Sequence, residues 1–149
     1  MSEHKVTVEW IRETPDFSYE TYSRDHEWIF DAGIKVRASA APAYLGNKRC
    51  VDPEEAFVAS LSSCHMLTFL AIAARKQLVL ESYYDEAVGI LEKDAAGRLA
   101  ITRVTLHPIV QFESETPPTP EEVARMHDQA HHACFIANSV KTEVTVEPQ

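Results

Sequence analysis

Three cysteines are the residues in this 149-residue chain best suited to covalent chemistry: Cys50, Cys64 and Cys134. An odd number cannot all pair within one chain, which draws interest toward reactive or metal-bound thiols rather than structural disulfides. Cys64 falls at helical spacing with Phe57, Leu61, Leu67, Thr68 and Ala71, so it belongs to an apolar stripe. Cys134 shares a face with Val123, Met126 and Ala130 by the same arithmetic. Both stripes need cover, and packing the two helices together places both thiols in one buried layer. A thiol among apolar side chains is inert unless a cation or a helix N-terminus stabilises the thiolate. Reactivity therefore calls for an arginine, and a carboxylate to hold it; Arg12, Arg24, Arg37 and Arg49 precede the first helix. The plainer reading of each cysteine is a small buried hydrophobe.

The histidines offer a competing chemistry. His127 and His131 lie one helical turn apart and Cys134 follows closely, so the three could share a metal. A structural zinc site needs four ligands, and no Cys-x-x-Cys completes this one. His65 follows Cys64 but projects about 100° around the helix, so it packs or bonds elsewhere rather than serving as the base of Cys64. Glu54 and Glu55 suit the first turn of a helix through capping and the dipole alone, as do Glu121 and Glu122.

Alternation over Lys5–Ile11 predicts a strand, followed by strands at Glu27–Phe30 and Ile34–Ala38 around the turn Asp31-Ala32-Gly33. Pro42–Asp52 reads as a loop. Asp52-Pro53-Glu54-Glu55 opens a helix running to about Leu78: Asp52 caps, Pro53 suits the first position and Glu55 closes the box. Two strands, Tyr83–Leu91 and Leu99–Phe112, are joined by the turn Asp94–Gly97. Thr119-Pro120-Glu121-Glu122 opens a second helix to about Ala133, and Lys141–Glu147 closes the chain as a strand. Short connections between strand blocks predict an α+β fold with antiparallel sheet, in one domain spanning 1–149.

Composition narrows the function. The net charge of −9, without clustered Lys or Arg, argues against nucleic acid or an acidic membrane surface as partner. The most apolar stretch, Met66–Ala74, is short of the roughly 20 residues of a membrane span. The N-terminus lacks the apolar core of a signal peptide, so the expected compartment is the cytoplasm, where thiols stay reduced.

Val51-Asp52-Pro53-Glu54-Glu55-Ala56-Phe57, followed by Ser63-Cys64-His65, resembles the Asn/Asp-Pro-Glu signature and cysteine of the OsmC/Ohr family (osmotically induced protein C and organic hydroperoxide resistance protein). The segment from Ala130 through Cys134 to Val140 resembles that family's second-cysteine region. The resemblance covers nearly the whole chain. It implies antiparallel sheets wrapped around two central helices in an intertwined homodimer, and a thiol-dependent peroxidase without metal or bound cofactor. It implies Cys64 as peroxidatic cysteine, Cys134 as resolving cysteine, and Glu54 as the carboxylate that orients an active arginine. In the hydroperoxide-resistance branch that arginine stands nine residues before the glycine of the turn into the third strand, which is Arg24 here. The pattern of the other branch points to Arg37 or Arg49.

The implied reaction converts an organic hydroperoxide to an alcohol through a Cys64 sulfenic acid and a Cys64–Cys134 disulfide, which an external thiol or dithiol, such as a dihydrolipoyl protein, resets. Ten residues of straight helix put Glu54 roughly 15 Å from Cys64. One arginine then reaches both only if the helix breaks near Ser60–Ser63 or the partner chain contributes. Two other readings stay open: a module binding a hydrophobic ligand with structural thiols, and the His127/His131/Cys134 metal site. Cys50 has no assigned role.

Overall fold

The computed structural model describes residues 1–149 and divides them into two units, Met1–Ala56 and Phe57–Gln149. In the first unit β1 (Val6–Glu9), β2 (His26–Phe30) and β3 (Lys35–Ala38) form an antiparallel sheet in that order. Val8 lies opposite Trp28, and Trp28 opposite Val36. The β2–β3 turn carries Ala32 and Gly33 at φ 64° and 75°, the twist that a tight hairpin demands. Beyond β3 the loop folds back so closely that a Cβ on Gly46 would lie 1.5 Å from the Ala40 carbonyl oxygen, which leaves glycine alone at that position. A bridge from Val51 to Ala38 then delivers the chain to Asp52.

Helix α1 spans Pro53–Arg75. The Glu55 amide donates to Asp52 Oδ1 at 2.7 Å and the Asp52 amide to Glu55 Oε2 at 3.2 Å, a reciprocal cap of the kind the sequence predicts. The helix does not break near Ser60–Ser63. Ser60 and Thr68 send their hydroxyls to the Phe57 and Cys64 carbonyls and so stay compatible with the helix.

The helix ends three residues before the expected Leu78. Gln77 takes φ 59°, its amide donates to the Ala74 carbonyl, and the Leu78 amide donates to the Ala73 carbonyl. This is a Schellman ending in which Leu78 folds back onto the core beside Ala73. The apolar period that suggested a longer helix was reading that contact. Because Gln77 occupies a conformation that favours glycine, Gln77→Gly is expected to raise stability by about 0.5–1 kcal/mol in urea titration.

In the second unit the two expected long strands are each broken. They become β4 (Leu80–Asp85) and β5 (Val88–Lys93), then β6 (Leu99–Leu106) and β7 (Pro108–Phe112). β4 pairs with β7 and β5 with β6, so one long hairpin turns a corner. The corner is built by Asp85, whose Oδ1 accepts the His107 amide at 2.7 Å while Oδ2 accepts the Ser62 hydroxyl. The His107 ring meets the Glu86 carbonyl at 2.9 Å, and Pro108 has no amide to extend a ladder. Asp94 closes the β5–β6 turn as predicted, with Gly97 at φ 78°.

The bend places the two arms against different stretches of α1. The β4–β7 arm covers Phe69 and Ala73 together with Met126 and Ala130 of α2 (Pro120–Ala133). The β5–β6 arm covers Leu61, with Val104 and Leu106 at its centre. β8 (Glu143–Val146) joins β6 in parallel, the one parallel pairing between strands of the fold. Thr119 and Glu122 cap α2 reciprocally, again as the sequence predicts.

Candidate active site

The ending of α2 sets the environment of Cys134. This residue caps the helix, its amide reaching the His131 carbonyl at 3.3 Å, and its side chain is 1% exposed. The following turn, Ala137–Ser139, aims the Ala137 amide at Cys134 Sγ at 3.4 Å. Burial pushes the Cys134 thiol up from its usual range, and a hydrogen bond with Cys64 adds to the shift; the Ala137 and Ile136 amides oppose it in part. The two sulfurs are thus neighbours, both as free thiols, and Cys134 is held protonated. Cys64 itself is half-buried. Leu67 and Phe135, close in the chain to Cys64 and Cys134 respectively, are 59% and 81% exposed.

The buried stripe of α1 is Leu61, His65, Phe69 and Ala73, not the Leu67–Ala71 register expected from hydrophobicity. A histidine sits in the middle of it. His65 Nε2 lies 3.0 Å from His127 Nδ1, the two ring planes are within 6° of parallel, and Phe69 stacks on His127 at 4.2 Å. Both rings are buried. Burial, then His127 and His131, push the His65 pKa down to about 4. Burial pushes His127 down to about 4 as well, against the opposing pull of Asp128 and Asp85. The expectation that His65 bonds away from Cys64 therefore holds, but the partner, His127, was missed. Its signal was an i, i+4 apolar row that admits a histidine.

The His127/His131/Cys134 set of the metal alternative does not converge in this chain: His127 Nδ1 faces His65, His131 and His132 sit with ring centres 6.0 Å apart, and no three His, Cys, Asp or Glu side chains come together in ligating geometry.

The first unit holds Arg24 and Glu54. The Arg24 guanidinium donates to the Tyr22 carbonyl at 3.0 Å and the Tyr19 carbonyl at 2.7 Å, and lies 4.0 Å over the Tyr22 ring. No ion pair joins it to Glu54 in this chain, because loop carbonyls and tyrosine faces already occupy it. Arg37 pairs with Asp25 at 3.6 Å, and Arg12 spends its donors on the Thr14 and Pro15 carbonyls. Arg24 lines a cleft of about 430 Å³ with Trp10, Phe17, Tyr22, His26 and Ser39. The Trp10 indole anchors the cleft by donating to the Ser23 carbonyl at 2.7 Å. Its walls suit a flat or branched apolar group, with one cation beside it.

A family model described as OsmC-like protein matches residues 46–149. Among solved structures, an OsmC-like protein of unknown function from Vibrio cholerae is 50% identical, with TM-score 0.97 and full coverage of both chains. The organic hydroperoxide resistance protein OhrB of Bacillus subtilis is 19% identical with TM-score 0.71, covering 99% of this chain and 98% of that one. An organic hydroperoxide resistance protein from Elizabethkingia anophelis is 17% identical with TM-score 0.72, covering 100% and 98%. Comparison with curated proteins finds no match.

Proposed function

This chain belongs to the OsmC-like protein family, and we propose that it is a cysteine-based peroxidase that reduces organic hydroperoxides. The observation that carries this reading is the contact between Cys64 and Cys134, with Cys134 held protonated. Two neighbouring thiols, one half-exposed and the other buried, are what a peroxidatic and a resolving cysteine require.

In the proposed reaction the Cys64 thiolate attacks the terminal oxygen of the hydroperoxide. The O–O bond breaks, the departing alkoxide takes a proton and leaves as alcohol, and Cys64 becomes a sulfenic acid. Cys134 sulfur then attacks the sulfenic sulfur. The S–O bond breaks, the Cys134 proton leaves with the hydroxyl as water, and a disulfide remains. An external thiol or dithiol returns both sulfurs to the reduced state, in keeping with the cytoplasmic setting we propose.

Arg24 is the cation we assign to the site, with Glu54 as its orienting carboxylate. α1 runs unbroken past both Glu54 and Cys64, so only the partner route to one shared arginine remains. We propose a homodimer in which Arg24 and Glu54 of one protomer serve the thiols of the other. The exposed apolar residues support it: Val6, Val8, Phe30 and Ile34 of the first unit, Leu67 and Phe135 of the second. α1 is also long and apolar enough to cross a membrane, with mean hydropathy 1.7 over 18 residues, of which 22% are buried. The stretch Met66–Ala74 understated this because Ser60, Ser62, Ser63 and His65 interrupt the apolar sequence that precedes it. Open-edged sheets packed along α1 cannot lie in hydrocarbon, so a second copy is the cover we favour. The aromatic cleft beside Arg24 supports organic substrates over hydrogen peroxide, since an organic tail gains burial that the small molecule cannot.

The test is a thiol count. Reduced protein given one equivalent of an alkyl hydroperoxide should lose two of its three thiols and release the alcohol, with Cys50 still free by peptide mapping. No loss of thiol would end the reading. Arg24→Met should slow hydroperoxide consumption by on the order of a hundredfold, as for a lost charge-stabilising donor. Arg37→Met and Arg49→Met should leave the rate unchanged. The same kinetics on all three decide which arginine serves.

A further inference from the structure

The buried histidine pair has a cost that packing does not explain. A ring-to-ring hydrogen bond needs one donor and one acceptor nitrogen. In either tautomer, the outer nitrogens of His65 and His127 are then left as one N–H and one lone pair. Both outer atoms, His65 Nδ1 and His127 Nε2, are buried with no partner. Each such atom carries a penalty of about 1–3 kcal/mol, whereas two apolar side chains of similar volume would carry none. What the pair supplies instead is direction: a hydrogen bond between parallel rings fixes both slide and rotation of the helices that bear them, as an apolar contact does not.

Those helices bear the thiols. His65 adjoins Cys64 on α1, and His127 lies seven residues before Cys134, two turns along α2 and within about 20° of the same face. Around the pair stand Phe69, packed on the His127 ring, and Met126 and Ala130, buried in the same cluster with Phe69. Disulfide geometry is narrow, with Cα atoms about 4.4–6.8 Å apart, so a small slip between α1 and α2 separates the sulfurs. We propose that His65 and His127 are positioning residues for disulfide closure: their buried hydrogen bond holds α1 against α2 in the register that keeps Cys64 and Cys134 in contact. This rests on the redox role assigned to the two thiols, but not on the oxidant being a hydroperoxide.

The experiment equilibrates the purified protein with oxidised and reduced dithiothreitol and measures the Cys64–Cys134 disulfide fraction by mass spectrometry, without peroxide. His65→Leu and His127→Phe should keep the helical circular dichroism of the wild type. They should shift the equilibrium toward the dithiol by at least about tenfold, the factor for one lost hydrogen bond of about 1.4 kcal/mol. His65→Gln, which retains a polar atom at the Nε2 position, should close the disulfide like the wild type. Folded apolar variants that close it as readily as the wild type would overturn the proposal. Should an apolar variant fail to fold, His65→Gln decides alone: wild-type closure supports the latch and a tenfold loss overturns it. A wild type that forms no disulfide in this buffer would overturn the latch and the peroxidase together. Closure here without hydroperoxide consumption would end the peroxidase reading and leave the latch standing.

Discussion

Cys134→Ser should complete one chemical event and then stop. Given one equivalent of alkyl hydroperoxide and no thiol reductant, this variant is expected to release one equivalent of alcohol in a single turnover. It should also accumulate a Cys64 sulfenic acid that dimedone traps at that residue alone. Cys64→Ser should release none. Its steady rate should fall by on the order of a thousandfold or more, because a hydroxyl cannot replace the thiolate as nucleophile. The asymmetry follows from the geometry of the pair. Cys64 is half-exposed and can meet a substrate, whereas Cys134 is buried, receives the Ala137 amide on its sulfur and faces Cys64. If Cys134 were the first sulfur oxidised, the adduct would appear on Cys134 in Cys64→Ser, and the roles would have to be exchanged.

Acid should destabilise the second unit steeply. In the fold His65 and His127 are neutral, each with its pKa pushed down to about 4, chiefly by burial. In the unfolded chain the same rings titrate near pH 6.5. Above pH 6.5 neither state binds a proton there, and the pair leaves stability unaffected by pH. Between pH 6.5 and 4 the unfolded state gains protons that the folded state refuses, so stability falls as pH drops. Each ring sets a limiting slope of about 1.4 kcal/mol per pH unit in that window. Below pH 4 the folded rings also protonate and this contribution levels off. Urea titrations between pH 7 and 4 should show the slope in the wild type and its loss in a His65→Leu, His127→Phe double variant. An unchanged slope in the double variant would assign the acid sensitivity to other groups.

The two predictions draw on different parts of what could be read in advance. The start of α1 was legible because it is local: Asp52, Pro53 and Glu55 satisfy free amides within one turn, and the same chemistry recurs at Thr119 and Glu122. The burial of Cys134 was legible as well, since helical spacing put it on a face that needed cover, whereas the stripe assigned to Cys64 is not the one the fold buries. The turns at Ala32-Gly33 and Asp94–Gly97 announced themselves through residues that tolerate positive φ.

Elsewhere the outcome depended on distant partners. The corner that splits each long strand is made by one carboxylate, Asp85, reaching the His107 amide across the hairpin and Ser62 on α1. Nothing in the alternation of Tyr83–Leu91 marks that reach. The buried row of α1 admits His65 because His127 accepts or donates to it from a helix 62 residues away. Hydropathy, counted one side chain at a time, favoured Leu67 instead. Arg24 could be named as a candidate from its place in the chain. Its present engagement with two carbonyls and two tyrosine faces could not, because those groups converge only when the loop closes. Caps, turns and helix faces follow from interactions within a few residues, whose geometry the peptide chain itself supplies. Strand breaks, buried polar pairs and the occupancy of a charged group follow from which distant surfaces meet, and only folding brings those together.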